Sequence, residues 1–383
     1  MQVIVNRELS KYLVLSIMGL QEQPAQRRGG LMTSQATPVP ISTTRPRGLS
    51  GRRLRRIQEI GLGYLLLAPA LTILIVFDFF PIFFGAFIST CDWKPAAAIG
   101  AETLLDRWLG PCVKFVGFEH YLRAFNDPQM WQSLIVTATY ALISLPIQLG
   151  LSLFFAYLLF QNVRGKEMFR VVFFLPYITS SVASAAVWSF LYNPDKGLIN
   201  NFLVHLGVMD PEKVWKWLGE PTGIFALMAR NAGVALPEWL GGPSLALLAV
   251  IFYTTWVFLG YDMTLFLAGL GNIPGELYDA AKVDGASGWK LFRHITFPLL
   301  SPTTFFILII TVIGIFKAFN HIYVMTQGGP GDATTTTSIY IFQQLYQYNR
   351  YGYSAALSFI LFIAILGLTI AQNRIAGSRV VYD

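Results

Sequence analysis

The chain has 383 residues, a formal net charge of +7, and a 54% hydrophobic share against 13% charged residues. Exchanging its 17 Tyr for its 33 Gly in that count gives about 58%, where soluble domains hold about 45 to 50%. Those proportions exclude an ordinary soluble domain, and the low charge excludes a disordered chain.

Residues 1–59 differ in kind from the rest. They carry ten Lys or Arg and three Glu, and the stretch from Ser34 to Arg47 is too rich in Thr, Pro and Ser to bury a core. A flexible, basic, cytoplasmic tail is expected. Within it, the apolar patch from Tyr12 to Leu20 follows Arg7 and Lys11 at the length of a signal-peptide core, but no small-x-small cleavage site follows. A short membrane-surface helix, or a true start at Met32, accounts for it better.

Beyond Arg52, Arg53, Arg55 and Arg56, six apolar runs cover residues 60–89, 131–160, 171–192, 244–270, 298–319 and 353–372. A helix of about 20 residues crosses about 30 Å of hydrocarbon, so each run is long enough. The expected fold is an all-α polytopic membrane protein with six transmembrane helices across residues 60–373 and a short cytoplasmic tail at 374–383. Lys and Arg are retained on the cytoplasmic side. With the tail inside, cytoplasmic segments hold 18 of them and the outer loops nine; charges net +10 inside and −2 outside. Both termini are therefore expected in the cytoplasm. The positive balance reports topology and needs no nucleic acid to explain it.

The second long outer segment, 193–243, has apolar-aromatic patches at Phe202 to Leu206 and Trp215 to Leu218, expected to pack as short helices. Cys91 and Cys112 share the first, 90–130, where either a disulfide or two free thiols is chemically compatible. Two Cys are too few for a framework or metal site, and His120, His205, His294 and His321 lack ligand spacing. No phosphate-binding G-x-x-x-x-G-K-[ST] and no G-x-S-x-G elbow occurs. No cofactor is expected, and energy must come from a partner or a gradient. Asp78, Asp262 and Lys317 are the ionisable groups in or beside the runs. Such charges are candidate ion sites, but a lysine at a span end can snorkel and one acid can pair with a neighbour.

The loop at 271–297 reads GNIPGELYDAAKVDGASGWKLFRHITF. Pro274 suits a first helical turn, and Glu276 and Asp279 place negative charge near its positive end. Leu277 shares a face with Ala280 and Ala281. Gly285 supplies a left-handed stop, Ser287 can cap a second short helix, and Pro298 opens the next span. Two short helices joined at a sharp turn are expected.

The run Glu276-Leu277-Tyr278-Asp279-Ala280-Ala281, then Asp284-Gly285-Ala286, Phe292, Ile295, Thr296 and Pro298, resembles the "EAA" loop of ABC-importer permeases, the binding-protein-dependent inner-membrane component. Asp279 stands where the family usually has Glu. The resemblance covers about 310 residues. It takes in Phe115-Val116-Gly117-Phe118-Glu119-His120-Tyr121, Phe174-Leu175-Pro176 through Trp188, Asn193-Pro194, Leu267-Ala268-Gly269-Leu270 with Ile273-Pro274, and Tyr323-Val324-Met325-Thr326-Gln327-Gly328-Gly329-Pro330. The last string is most like the carbohydrate-importing subgroup related to maltose and glycerol-phosphate permeases.

The resemblance implies a type I importer subunit in a prokaryotic inner membrane, paired with a second related permease, two cytoplasmic ATPase subunits and an outer solute-binding protein. It implies that Glu276, Asp279, Ala280, Ala281 and Gly285 couple to the ATPase. For a sugar, which takes aromatic faces and hydroxyl-bonding side chains, mid-depth candidates include Ser180, Ser181, Ser184, Tyr253, Trp256, Thr311 and Asn320, each of which could equally serve packing. A gradient-driven secondary carrier is the alternative; uptake surviving ATP depletion would favour it.

Overall fold

The computed structural model describes residues 49–377 apart from 99–102, 104–109, 162, 208, 212–213, 232–236, 238–239 and 376. The Tyr12 to Leu20 patch, the Met32 start and most of the 374–383 tail lie outside the described residues. Residues up to Pro69 form one unit and those from Ala70 another. The described part of the first unit is the start of helix α1, Leu49–Leu74, whose apolar side chains such as Leu62, Leu65 and Leu66 are exposed.

Helix α1 passes through a wide π-turn at Ile75–Phe79 into α2, Phe80–Ser89. Pro81 explains the widening, because its ring lacks an N–H and would clash with the carbonyl one turn back. A second π-turn, Phe292–Thr296, likewise precedes Pro298. The other long helices are α4 (Pro128–Phe160), α9 (Leu245–Gly271) and α15 (Tyr351–Ile375). Among the described residues, four helices are long and apolar enough to cross a membrane, and up to six spans result if each of two bent pairs is one span.

Those bent pairs correct the expectation of continuous third and fifth runs. In the third, α5 (Lys166–Ile178) and α6 (Ser181–Leu191) meet at 96°. Thr179 and Ser180 leave helical geometry there, and Ser180 Oγ accepts the Ala183 N–H at 3.5 Å, starting a new helix. In the fifth, α11 (Trp289–Leu299) and α12 (Ser301–Phe316) meet at 64°, with Pro302 in the first turn of α12. Helix α12 ends at Phe316, so Asn320 lies beyond this span and opens a separate helix α13, Asn320–Thr326.

Helix α9 is the axis, with most of its side chains from Leu245 to Leu270 buried. It runs parallel to α4: Tyr140 bonds Thr254 and Gln148 bonds Asp262, both pairs 114 residues apart. Around these ties pack Val250, Tyr253, Val257, Ile315, Phe316 and Ile322. Gly260 brings α9 against the backbone of α5 at Phe173, the close approach that small residues permit between membrane helices.

The segment after α2 is the departure from an all-helical chain among the described residues. Strands β1 (Cys91–Trp93) and β2 (Cys112–Phe115) pair antiparallel, and Cys91 and Cys112 are joined in a disulfide with Cα atoms 5.3 Å apart. Helix α3, Glu119–Phe125, follows. Asp127 caps α4 through the Gln129 N–H at 3.0 Å and accepts the hydroxyls of Tyr340 and Tyr353, fastening the start of α4 to that of α15. Short helices α7 (Leu198–His205) and α8 (Ile224–Asn231) lie in the 193–243 segment; α7 takes in most of the Phe202 to Leu206 patch, whereas Trp215 to Leu218 is not helical and α8 follows it. Helix α14, Thr337–Phe342, follows a buried run from Thr334 to Thr337.

Candidate functional site

The 271–297 loop folds as helix α10, Gly275–Val283, and the first turns of α11. Pro274 sits at the cap rather than inside the first turn, and Gly288, not Ser287, caps α11. Helix α10 ends on a full Schellman motif: Gly285 N–H reaches Lys282 O at 3.0 Å and Ala286 N–H reaches Ala281 O at 2.8 Å. Gly285 has φ +78°, the left-handed stop its position called for. Tyr278 bonds Thr296 between side-chain hydroxyls at 3.1 Å and so roots α10 on α11.

Four of the five predicted coupling residues, Glu276, Asp279, Ala280 and Gly285, are exposed, and Ala281 is half-buried. Asp279 pairs with Lys282 at 3.1 Å, an exposed contact worth less than about 1 kcal/mol. Leu277, Val283 and Trp289 are 41%, 88% and 69% exposed, so apolar surface and acid stand together, uncovered among the described residues.

A cavity of about 400 Å³ lies between α4, α9, α12 and α13, with Ser181 and Tyr177 from the bent pair at its wall. Of the predicted solute contacts, Ser181, Tyr253, Thr311 and Asn320 line it, and Ser180 does not. Ser184 joins through a 2.7 Å bond to the Tyr253 hydroxyl, which also donates to Ser181 O at 3.0 Å. Trp256 does not line it; its ring packs 5.2 Å from that of Trp188 and borders a separate apolar groove.

Sequence reasoning missed Tyr140, Gln148, Thr254 and His321, which also line the cavity. His321 Nε2 lies 3.1 Å from Thr254 Oγ1 and 3.3 Å from the Tyr140 hydroxyl. Burial lowers its pKa to about 4, so the ring is neutral at physiological pH. Asp262 is buried against Gln148 Nε2 at 2.6 Å; Lys317 borders the cavity and is exposed, and Asp78 is exposed in the first π-turn. The arrangement offers phenol rings, hydroxyls and amides to a polar solute, a composition that suits binding.

Residues 133–378 match the model of the binding-protein-dependent transport system inner membrane component family. The chain belongs to that family. It is 32% identical over 324 residues to the trehalose/maltose transport system permease protein of Thermococcus litoralis, covering 85% of this chain and 96% of that one. The sn-glycerol-3-phosphate transport system permease protein of Agrobacterium fabrum is 31% identical over 323 residues, 84% of this chain and 96% of that one. Among solved structures, a chain of a bacterial ABC transporter involved in the import of the acidic polysaccharide alginate superposes with a TM-score of 0.65 at 21% identity. It covers 85% of this chain and 99% of that one, and shows the same fold. As an inner-membrane component of this family, the chain is a permease subunit.

Proposed function

We propose that this chain is the membrane-spanning subunit of an ATP-driven importer of a sugar or oligosaccharide. It forms half of the translocation path and couples through the 274–298 loop to separate ATPase subunits. Family membership supports the transport role. The trehalose/maltose relative, together with a cavity of phenol rings and hydroxyls, supports a sugar. In this reading both termini and α10 are cytoplasmic, the 1–59 tail precedes the permease domain 60–373, and the complex holds a second related permease, two ATPase subunits and an outer solute-binding protein.

The carrying observation is α10, a rooted helix whose acid-and-apolar face is exposed. Glu276, Asp279, Ala280 and Ala281 contact the ATPase, and Gly285 sets the angle at which force enters α11. Nucleotide and loaded binding protein must favour two global states unequally for this to drive transport. Ser184, Tyr253, Thr311 and Asn320 contact the solute, and Trp256 packs. Purification in mild detergent is expected to bring down a second six-span chain and an ATPase, with Asp279→Cys crosslinking to the ATPase. Labelling of Asp279→Cys from outside intact cells by an impermeant maleimide, or uptake that survives ATP depletion, would overturn the reading.

A further inference from the structure

Gln148 is 2% exposed and Asp262 1%, and both border the cavity. Gln148 Nε2 donates to Asp262 Oδ2 at 2.6 Å, which leaves Gln148 Oε1 buried with no donor among the described residues. Gln148 is also the sole hydrogen-bond partner of Asp262 among the described residues, and no Lys, Arg or His lies within ion-pair distance of that carboxyl. A pair serving only to tie α4 to α9 would spend its acceptors between the helices. This one has acceptors to spare at the wall of a cavity, where an unmade bond is costly.

The cavity has two charged ends. Asp262 lies nine residues beyond Tyr253 on α9, about 13 Å further along the helix axis, while Lys317 and Asn320 border the cavity from the far end of α12 and the start of α13. His321 is neutral, and the other polar groups at the wall are hydroxyls. In the proposed orientation, Lys317 stands toward the outer entrance and Asp262 toward the inner exit. A solute crossing inward passes the acid last, whatever Lys317 does at the start.

We infer that Gln148 and Asp262 form an acceptor subsite that selects the solute by charge, receiving hydroxyl or ammonium donors and rejecting carboxylate- or phosphate-bearing sugars. This rests on the sugar-import reading and narrows it to neutral or amino sugars. Like charges at close range in a partly desolvated site disfavour one another by about tenfold or more.

The test uses the complete membrane complex in lipid nanodiscs without its binding protein, so that the cavity alone selects. Saturation-transfer NMR compares glucosamine, glucose and glucuronate, which share one ring and differ in charge. Glucosamine and glucose are expected to bind, with glucuronate at least about tenfold weaker. Asp262→Asn keeps the Gln148 bond and should collapse that discrimination. Gln148→Leu should weaken glucosamine and glucose together and leave glucuronate excluded. If wild type holds glucuronate as well as glucosamine, or if Asp262→Asn weakens all three sugars equally, the pair is a helix tie and the inference is wrong. No signal from any of the three, with the complex intact, overturns this subsite, whereas failure of the import reading would show separately as uptake that survives ATP depletion.

Discussion

Replacing Gly260 with Ala tests the packing that holds the first half of the bent third span against the central helix. A Cβ at Gly260 would lie 2.7 Å from the Phe174 amide nitrogen, and nearer still to the Phe173 carbonyl. Ordinary contact begins at 3.4 Å, so the Phe174 nitrogen alone must retreat by about 0.7 Å and the Phe173 carbonyl by more. The atoms met are backbone, which cannot rotate aside. Overfilling a packed interior costs about 1 to 3 kcal/mol, and the upper half of that range is expected here. Tyr177, four residues after Phe173 on α5, lines the cavity, so the retreat also displaces a wall of that cavity. Scanning fluorimetry of the purified complex should show a lower melting temperature, and uptake should fall. Gly150→Ala is the control: it lies in α4 with nothing within 4 Å of its would-be Cβ, so helix propensity leaves it neutral or slightly stabilising. Equal melting temperatures for Gly260→Ala, Gly150→Ala and wild type would refute the close contact.

Other outcomes follow from single features. Gly285→Val meets no neighbouring atom but forces a β-branched side chain to φ +78°, at about 1 to 2 kcal/mol, so uptake should be lost while the protein still inserts; Gly285→Asn, which tolerates this conformation, should retain more. Normal uptake in the Val variant would remove Gly285 from the coupling role. His321 has a folded pKa near 4 against 6.5 in the unfolded chain. The unfolded state thus binds the proton more readily between those values, and stability falls as pH drops through that window. His321→Gln should flatten this acid sensitivity in melts taken from pH 7 to 4.5; an unchanged slope would mean the ring is solvated. Cys91→Ser with Cys112→Ser opens a loop with a sequence separation of 21, a constraint worth about 3 kcal/mol in the chain-entropy view, and should lower the melting temperature. Identical mobility of reduced and unreduced wild type, with identical melts, would show that the bond does not form.

The long spans were legible because hydrophobic length is a local property. The run at 131–160 appears as Pro128–Phe160 and that at 244–270 as Leu245–Gly271. Hydropathy is blind to direction, however, so the 96° turn at Thr179–Ser180 and the 64° turn at Leu300 were read straight through. Pro176, the Thr179-Ser180-Ser181 cluster and Pro302 were the available signals. The α10 stop was legible for the same local reason, since a Schellman motif spans six residues. The cavity was not: His321 meets Thr254 across 67 residues of sequence and Tyr140 across 181. Only the crossing of α4, α9 and α13 makes neighbours of them.

Because its two cysteines are bonded to each other, the native polypeptide carries no thiol for a maleimide to find. Any single cysteine placed on α10, at the cavity mouth or in the basic tail would therefore report its own accessibility against a silent background. Sidedness can be mapped without first stripping the chain of its native residues.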